Sequence, residues 1–168
     1  LAAGRLCAAV FNAVPAAWLC DYGETPAAEP RGMRASPGRE GLAMGAVLGT
    51  AFALFRFQYG PDSPAFYACC LEAVPLVLAA LSDSRYGILP DQFLLLLLPP
   101  AAANVALDFA LRGGNFYGSP FSPILGALCG AGLWLAFGLV GRLLFRKESI
   151  GFGDVKLSAA LGLFCGFP

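Results

Sequence analysis

From Gly113 to Gly141 no residue carries a charge, and nothing constrains this chain's fold more than that stretch. A helix needs about 20 consecutive apolar residues to cross roughly 30 Å of hydrocarbon. In lipid the backbone must satisfy its own hydrogen bonds, which a helix does without outside help. Apolar segments lie near 41–57, 65–83, 92–111 and 119–143, with a shorter one from 154 onward. Composition points the same way: 58% of residues are hydrophobic, 13% are charged and the mean hydropathy is +0.68, well to the apolar side of soluble domains. The expected fold class is all-α, a polytopic transmembrane helix bundle of about five to six helices. The competing reading, a large soluble core, fits this composition poorly.

Three regions follow from the pattern. Residues 1–20 read as part of a first transmembrane helix, with the apolar run LCAAVFNAVPAAWL broken by Asn12 and Pro15. Arg5 ahead of a short apolar run also suits a signal peptide. Residues 21–40, DYGETPAAEPRGMRASPGRE, are polar and rich in Pro and Gly and read as an aqueous, cytoplasmic loop. Residues 41–168 form the membrane core. The chain begins at Leu1, and its last apolar segment, Asp154 to Pro168, is too short to span, so a piece of a longer protein is expected. The basic residues orient it. With the 21–40 loop inside, Arg31, Arg34, Arg39, Arg85, Arg142, Arg146, Lys147 and Lys156 lie on the inner side, and only Arg5, Arg56 and Arg112 toward the outer side.

The chemistry available is narrow. The chain has no histidine, which removes His-dependent triads and His-ligated metal sites and leaves carboxylates as the natural acid/base groups. The six cysteines never form a C-x-x-C pair and read as small packing residues. Net charge is +0, so no nucleic-acid surface is expected.

Ionisable groups in or beside membrane helices are costly and mark working sites by default. Asp83 ends one apolar segment in AALSDSRYGILPDQ, and Asp154 opens another in GFGDVKLSAALG. The alternation of helices puts both acids on the same, cytoplasmic side. Two carboxylates brought together can share one proton and activate water, the chemistry of an aspartyl protease. A carboxyl at a helix C-terminus is disfavoured as an anion and one at an N-terminus is favoured, so Asp83 is expected to hold the shared proton and Asp154 to act as the base. Gly151 and Gly153 allow close approach and unusual backbone shapes, although Gly-x-Gly-Asp also suits an ordinary helix N-cap. Asp91, directly after Pro90, is expected to cap a helix beginning at Gln92. Lys156, two positions after Asp154, points elsewhere on a regular helix and snorkels to the interface. Glu72 shares a helix face with Asp83 but lies about 16 Å deeper. It either steadies packing or meets polar groups of a substrate helix. Asp108 is expected to reach the outer interface.

FNAVPAAWLCDYGETP (11–26), SDSRYGILPDQ (82–92) and GFGDVKLSAALG (151–162) together resemble the type IV prepilin peptidases, membrane aspartyl proteases of the Gly-x-Gly-Asp type. The resemblance implies that Asp83 and Asp154 are the catalytic pair. Leu89 stands where isoleucine is usual and keeps the apolar contact. It further implies a prepilin or pseudopilin substrate whose short basic leader is cut just after a glycine, at the cytoplasmic face of a bacterial inner membrane. Many relatives carry paired C-x-x-C motifs that bind zinc, and methylate the new N-terminus with S-adenosylmethionine. The matching region here is only loop 21–40 with Cys20 beside it, so no metal or cofactor is expected. Two alternatives stay open: a Gly-x-Gly-Asp protease with another membrane substrate, and a non-catalytic membrane scaffold or small transporter whose acids bind cations or protons.

Overall fold

The computed structural model describes residues 2–20, 34–110, 117–145 and 151–167. Most of the loop 21–40 thus lies outside the described residues. Among the described residues the chain is all-α with no strand, and four helical segments, Arg39–Tyr59, Pro64–Tyr86, Asp91–Ala110 and Ser122–Leu144, are long and apolar enough to cross a membrane. The chain divides into two compact units, Leu1–Phe93 and Leu94–Pro168.

The first unit is built from α1 (Ala2–Ala13), a 3-10 turn (Ala16–Trp18), α2 (Arg39–Tyr59) and α3 (Pro64–Tyr86). Helix α1 has 12 residues, and Pro15, which disfavours helical backbone at Val14, ends it. Asn12 then clamps the returning chain, its Nδ2 donating to the Ala35 carbonyl at 2.9 Å and its Oδ1 accepting the Ala35 N–H at 2.6 Å. Arg39 and Glu40 belong to α2 rather than to the preceding loop. The α2–α3 hairpin follows the usual punctuation: left-handed Gly60 stops α2, Pro61 follows, and Ser63 and Pro64 start α3. Cys7, Ala8 and Phe11 of α1, Met44 and Leu48 of α2, and Ala73, Leu78 and Ala79 of α3 form the core with Phe93. The Phe11 ring lies 6.3 Å from those of Tyr86 and Phe93.

The expected run 92–111 is two helices, α4 (Asp91–Leu95) and α5 (Leu98–Ala110). Pro99 and Pro100 have no N–H to return to the carbonyls of Leu95 and Leu96, so the helix breaks there and restarts with the prolines in its first turn. In the second unit α5 is joined by α6 (Ser122–Phe145) and α7 (Phe152–Cys165). Lipid tails are as apolar as leucine, so helices in a bilayer associate through close packing and small residues. Gly126 and Gly130 of α6 meet Gly162 and Ser158 of α7 backbone to backbone. The rest of α6 presents exposed Leu125, Leu128, Leu133 and Phe137, a surface suited to hydrocarbon.

Candidate active site

Asp83 is not the last residue of its helix. The apolar pattern ends there, but α3 continues one turn to Tyr86 because the stop signal is Gly87, left-handed at φ +63°, whose N–H donates to the Asp83 carbonyl at 2.8 Å. The polar residues of this last turn have partners that make helix affordable. Ser82, fully buried, donates from Oγ to the Ile88 carbonyl at 2.9 Å, and Ser84 donates to the Leu81 carbonyl at 2.9 Å. The Arg85 guanidinium pairs with the Glu40 carboxylate at the start of α2, whose other oxygen accepts the Ser36 N–H at 2.6 Å. The Ser82 bond folds the Ile-Leu-Pro-Asp segment back onto the end of α3, and Leu89 and Tyr86 pack against the core. Pro90 is buried and its carbonyl accepts the Phe93 N–H at 3.0 Å. Asp91 is the first residue of α4, one position earlier than expected. Asp83 itself is exposed at the carbonyl end of the α3 dipole.

Asp154 sits at the opposite kind of helix end. Gly151 is the N-cap of α7, and the Asp154 N–H closes the first turn on the Gly151 carbonyl at 3.1 Å. Half-buried in this turn, its carboxyl lies where the unpaired N–H groups gather. The conformational freedom expected of Gly151 and Gly153 is not used: among the described residues the left-handed glycines are Gly60, Gly87 and Gly166, and Gly151 has ordinary extended backbone at φ −68°, ψ 140°. A Cβ at Gly151 would lie 3.6 Å from Asp154 Oδ2, an ordinary van der Waals contact. Lys156 places its ammonium 5.0 Å from the centroid of the Phe152 ring, a cation–π contact on the same first turn. The site residues thus form two local groups: Asp83, Pro90 and Asp91 around the end of α3, and Gly151, Gly153, Asp154 and Lys156 at the start of α7.

Two other acids are placed differently from expectation. Asp108 does not reach an interface: it is buried, and its Oδ1 accepts the Tyr117 N–H at 3.4 Å. Glu72 is 2% exposed, and both its carboxyl oxygens lack a hydrogen-bond partner among the described residues. The sequence reading missed the buried polar group of Asn104, Tyr117 and Ser122 altogether. It also missed the Glu40–Arg85 pair, for which the only local sign is a serine four positions before Glu40.

Four helical segments long and apolar enough to span define a multi-pass membrane protein. Residues 70–168, more than half of the chain, match the type IV leader peptidase family. The chain belongs to that family. It is 38% identical over 127 residues to a prepilin leader peptidase/N-methyltransferase of Burkholderia pseudomallei, covering 75% of this chain and 37% of the relative. It is 33% identical over 120 residues to one of Klebsiella pneumoniae, covering 71% and 49%. The chain thus spans between 37% and 49% of the length of these two relatives. No solved structure matches it significantly.

Proposed function

We propose that this chain carries the catalytic acids of a membrane aspartyl endopeptidase that removes the short basic leader of a prepilin or pseudopilin at the cytoplasmic face of a bacterial inner membrane. The observation that carries the reading is the opposed placement of two acids, Asp83 in the last turn of α3 and Asp154 in the first turn of α7. Helix carbonyls disfavour an anion at the first, and helix N–H groups favour one at the second. An asymmetric pair of this kind divides the labour of hydrolysis. Asp154 accepts a proton from water as the oxygen attacks the scissile carbonyl carbon. Asp83 gives its proton to the carbonyl oxygen. The tetrahedral diol then collapses, a proton passes to the leaving nitrogen, and the C–N bond breaks. Membership of the type IV leader peptidase family, the names of the relatives and the basic residues gathered on the side of both acids support the substrate and the sidedness.

The test is co-expression with a prepilin, following leader removal by gel mobility. Asp83→Asn and Asp154→Asn should each lower cleavage by at least about a hundredfold, as expected for loss of acid–base catalysis, with expression intact. Cleavage at the parental rate in either variant refutes the pair. Flux of ions without cleavage by the parent favours the transporter alternative instead.

A further inference from the structure

In the unit Leu94–Pro168, the side chains of Asn104, Asp108, Tyr117 and Ser122 form a buried polar group that the proposed chemistry does not use. We propose that this group is an axial latch on α7: it fixes where that helix sits along α6 and so where Asp154 is presented, making Tyr117 and Ser122 positioning residues. The inference rests on Asp154 acting as the base in the reaction above.

The last carbonyls of a helix have no partner within it, and at membrane depth no water supplies one. In α7 that role falls to Tyr117. Its hydroxyl donates to the Phe164 carbonyl at 2.7 Å, with the Leu163 carbonyl at 3.3 Å. Asn104 Nδ2 donates to the same hydroxyl at 3.1 Å, which directs the tyrosine proton onto the helix end. Asp108 holds the Tyr117 backbone through its N–H. Three residues past Phe164, Ser122 Oγ donates to the Phe167 carbonyl at 2.5 Å, and the Phe167 N–H returns to Ser122 Oγ at 2.8 Å and to the Ser122 carbonyl at 2.9 Å. Between them sits Gly166 at φ +72°, where a Cβ would lie 2.5 Å from Ser122 Oγ and 2.7 Å from Tyr117 Cδ1. The residues just after α7 are seated in a notch that favours glycine at position 166.

The latch adds to the close α6–α7 crossing, where Gly126 and Gly130 face Gly162 and Ser158 backbone to backbone and set how near the helices come. A slip of one residue is a displacement of about 1.5 Å, transmitted by a rigid helix over the roughly 15 Å from Phe164 to Asp154. Misplacing a reacting group by about 1 Å is enough to lose on the order of a hundredfold in rate.

The experiment uses the protein reconstituted in lipid vesicles and a probe peptide with a lysine-rich leader, a glycine at the junction and an apolar helix. Tyr117→Phe and Ser122→Ala are compared with the parent, Ser122→Thr and Asp154→Asn, with rates normalised to folded protein. The expected result is a kcat about ten- to a hundredfold lower in Tyr117→Phe and Ser122→Ala, KM within about twofold, and recovery in Ser122→Thr. Parental kcat in both variants, alongside an inactive Asp154→Asn, overturns the latch alone. Full cleavage by Asp154→Asn overturns the reading of the acid, and the latch with it. A variant whose losses vanish on normalisation to folded protein also overturns the latch, since its role is then stability only.

Discussion

Replacing Gly162 by alanine sets two effects of opposite sign against each other. Within a helix alanine is favoured over glycine by about 1 kcal/mol, so an uncrowded site would gain stability. At Gly162 the added Cβ meets the Gly126 carbonyl oxygen closer than real Cβ contacts come, with the Gly126 carbonyl carbon at 2.6 Å and Ala127 Cα at 3.0 Å. All three are backbone atoms of α6 and cannot turn aside, so restoring ordinary contact means moving the helices apart by about 1 Å, and overpacking of this kind costs about 1–3 kcal/mol or more. The clash wins. Scaled by the usual relation for a chain of this size, Tm should fall by about 2–8 °C in detergent, and prepilin cleavage should fall with it as α7 is displaced. The internal control is Gly132→Ala, on the facing helix α6, where a Cβ would meet nothing within 4 Å and where Tm should hold or rise slightly. Circular dichroism melts of both variants decide it. A Gly162→Ala protein as stable as Gly132→Ala would refute the close crossing of α6 and α7.

Three further outcomes are expected. Gly87→Ala forces a Cβ into left-handed backbone at the end of α3 and should destabilise by about 1 kcal/mol or more, read as a lower Tm and slower cleavage because Asp83 lies in the turn it caps. Ser82→Ala leaves the Ile88 carbonyl without the bond from Ser82 Oγ and should cost about 1–3 kcal/mol; an unchanged melt would show that the bond does not hold the segment. Glu72→Leu replaces a buried carboxyl whose oxygens lack a hydrogen-bond partner among the described residues, so Tm should stay level or rise by a few degrees, whereas a clear fall would reveal a partner for that acid.

The membrane helices were legible because hydrocarbon imposes length and apolarity directly on sequence, and so was the start of α7, where Gly-Phe-Gly-Asp follows a polar linker. The end of α3 lies about a turn beyond the apolar pattern. SDSRY looks like a loop by polarity, but its paired polar groups are satisfied in helix: Arg85 by Glu40 of α2, Ser82 by the Ile88 carbonyl beyond the helix end, and Ser84 locally by the Leu81 carbonyl. Only Gly87 carried the true stop. The break between α4 and α5 was written plainly in Pro99-Pro100 and was read through because the residues before it are uniformly leucine.

The polar group at the far end of α7 shows what kind of reasoning recovers such residues. Taken singly, Asn104, Tyr117 and Ser122 are unremarkable near the ends of apolar segments, and Asp108 reads as a surface acid. The demand comes from elsewhere. Helix α7 has 14 residues, about 21 Å by rise, so if its start lies at the water boundary its end falls within hydrocarbon, with carbonyls that must find donors. The donors come from the same unit: the Tyr117 hydroxyl, ahead of α6, and Ser122 at the start of α6, with Asn104 of α5 donating in turn to the Tyr117 hydroxyl. Asp108 is buried because the Tyr117 N–H, turned toward it by that arrangement, needs an acceptor in turn.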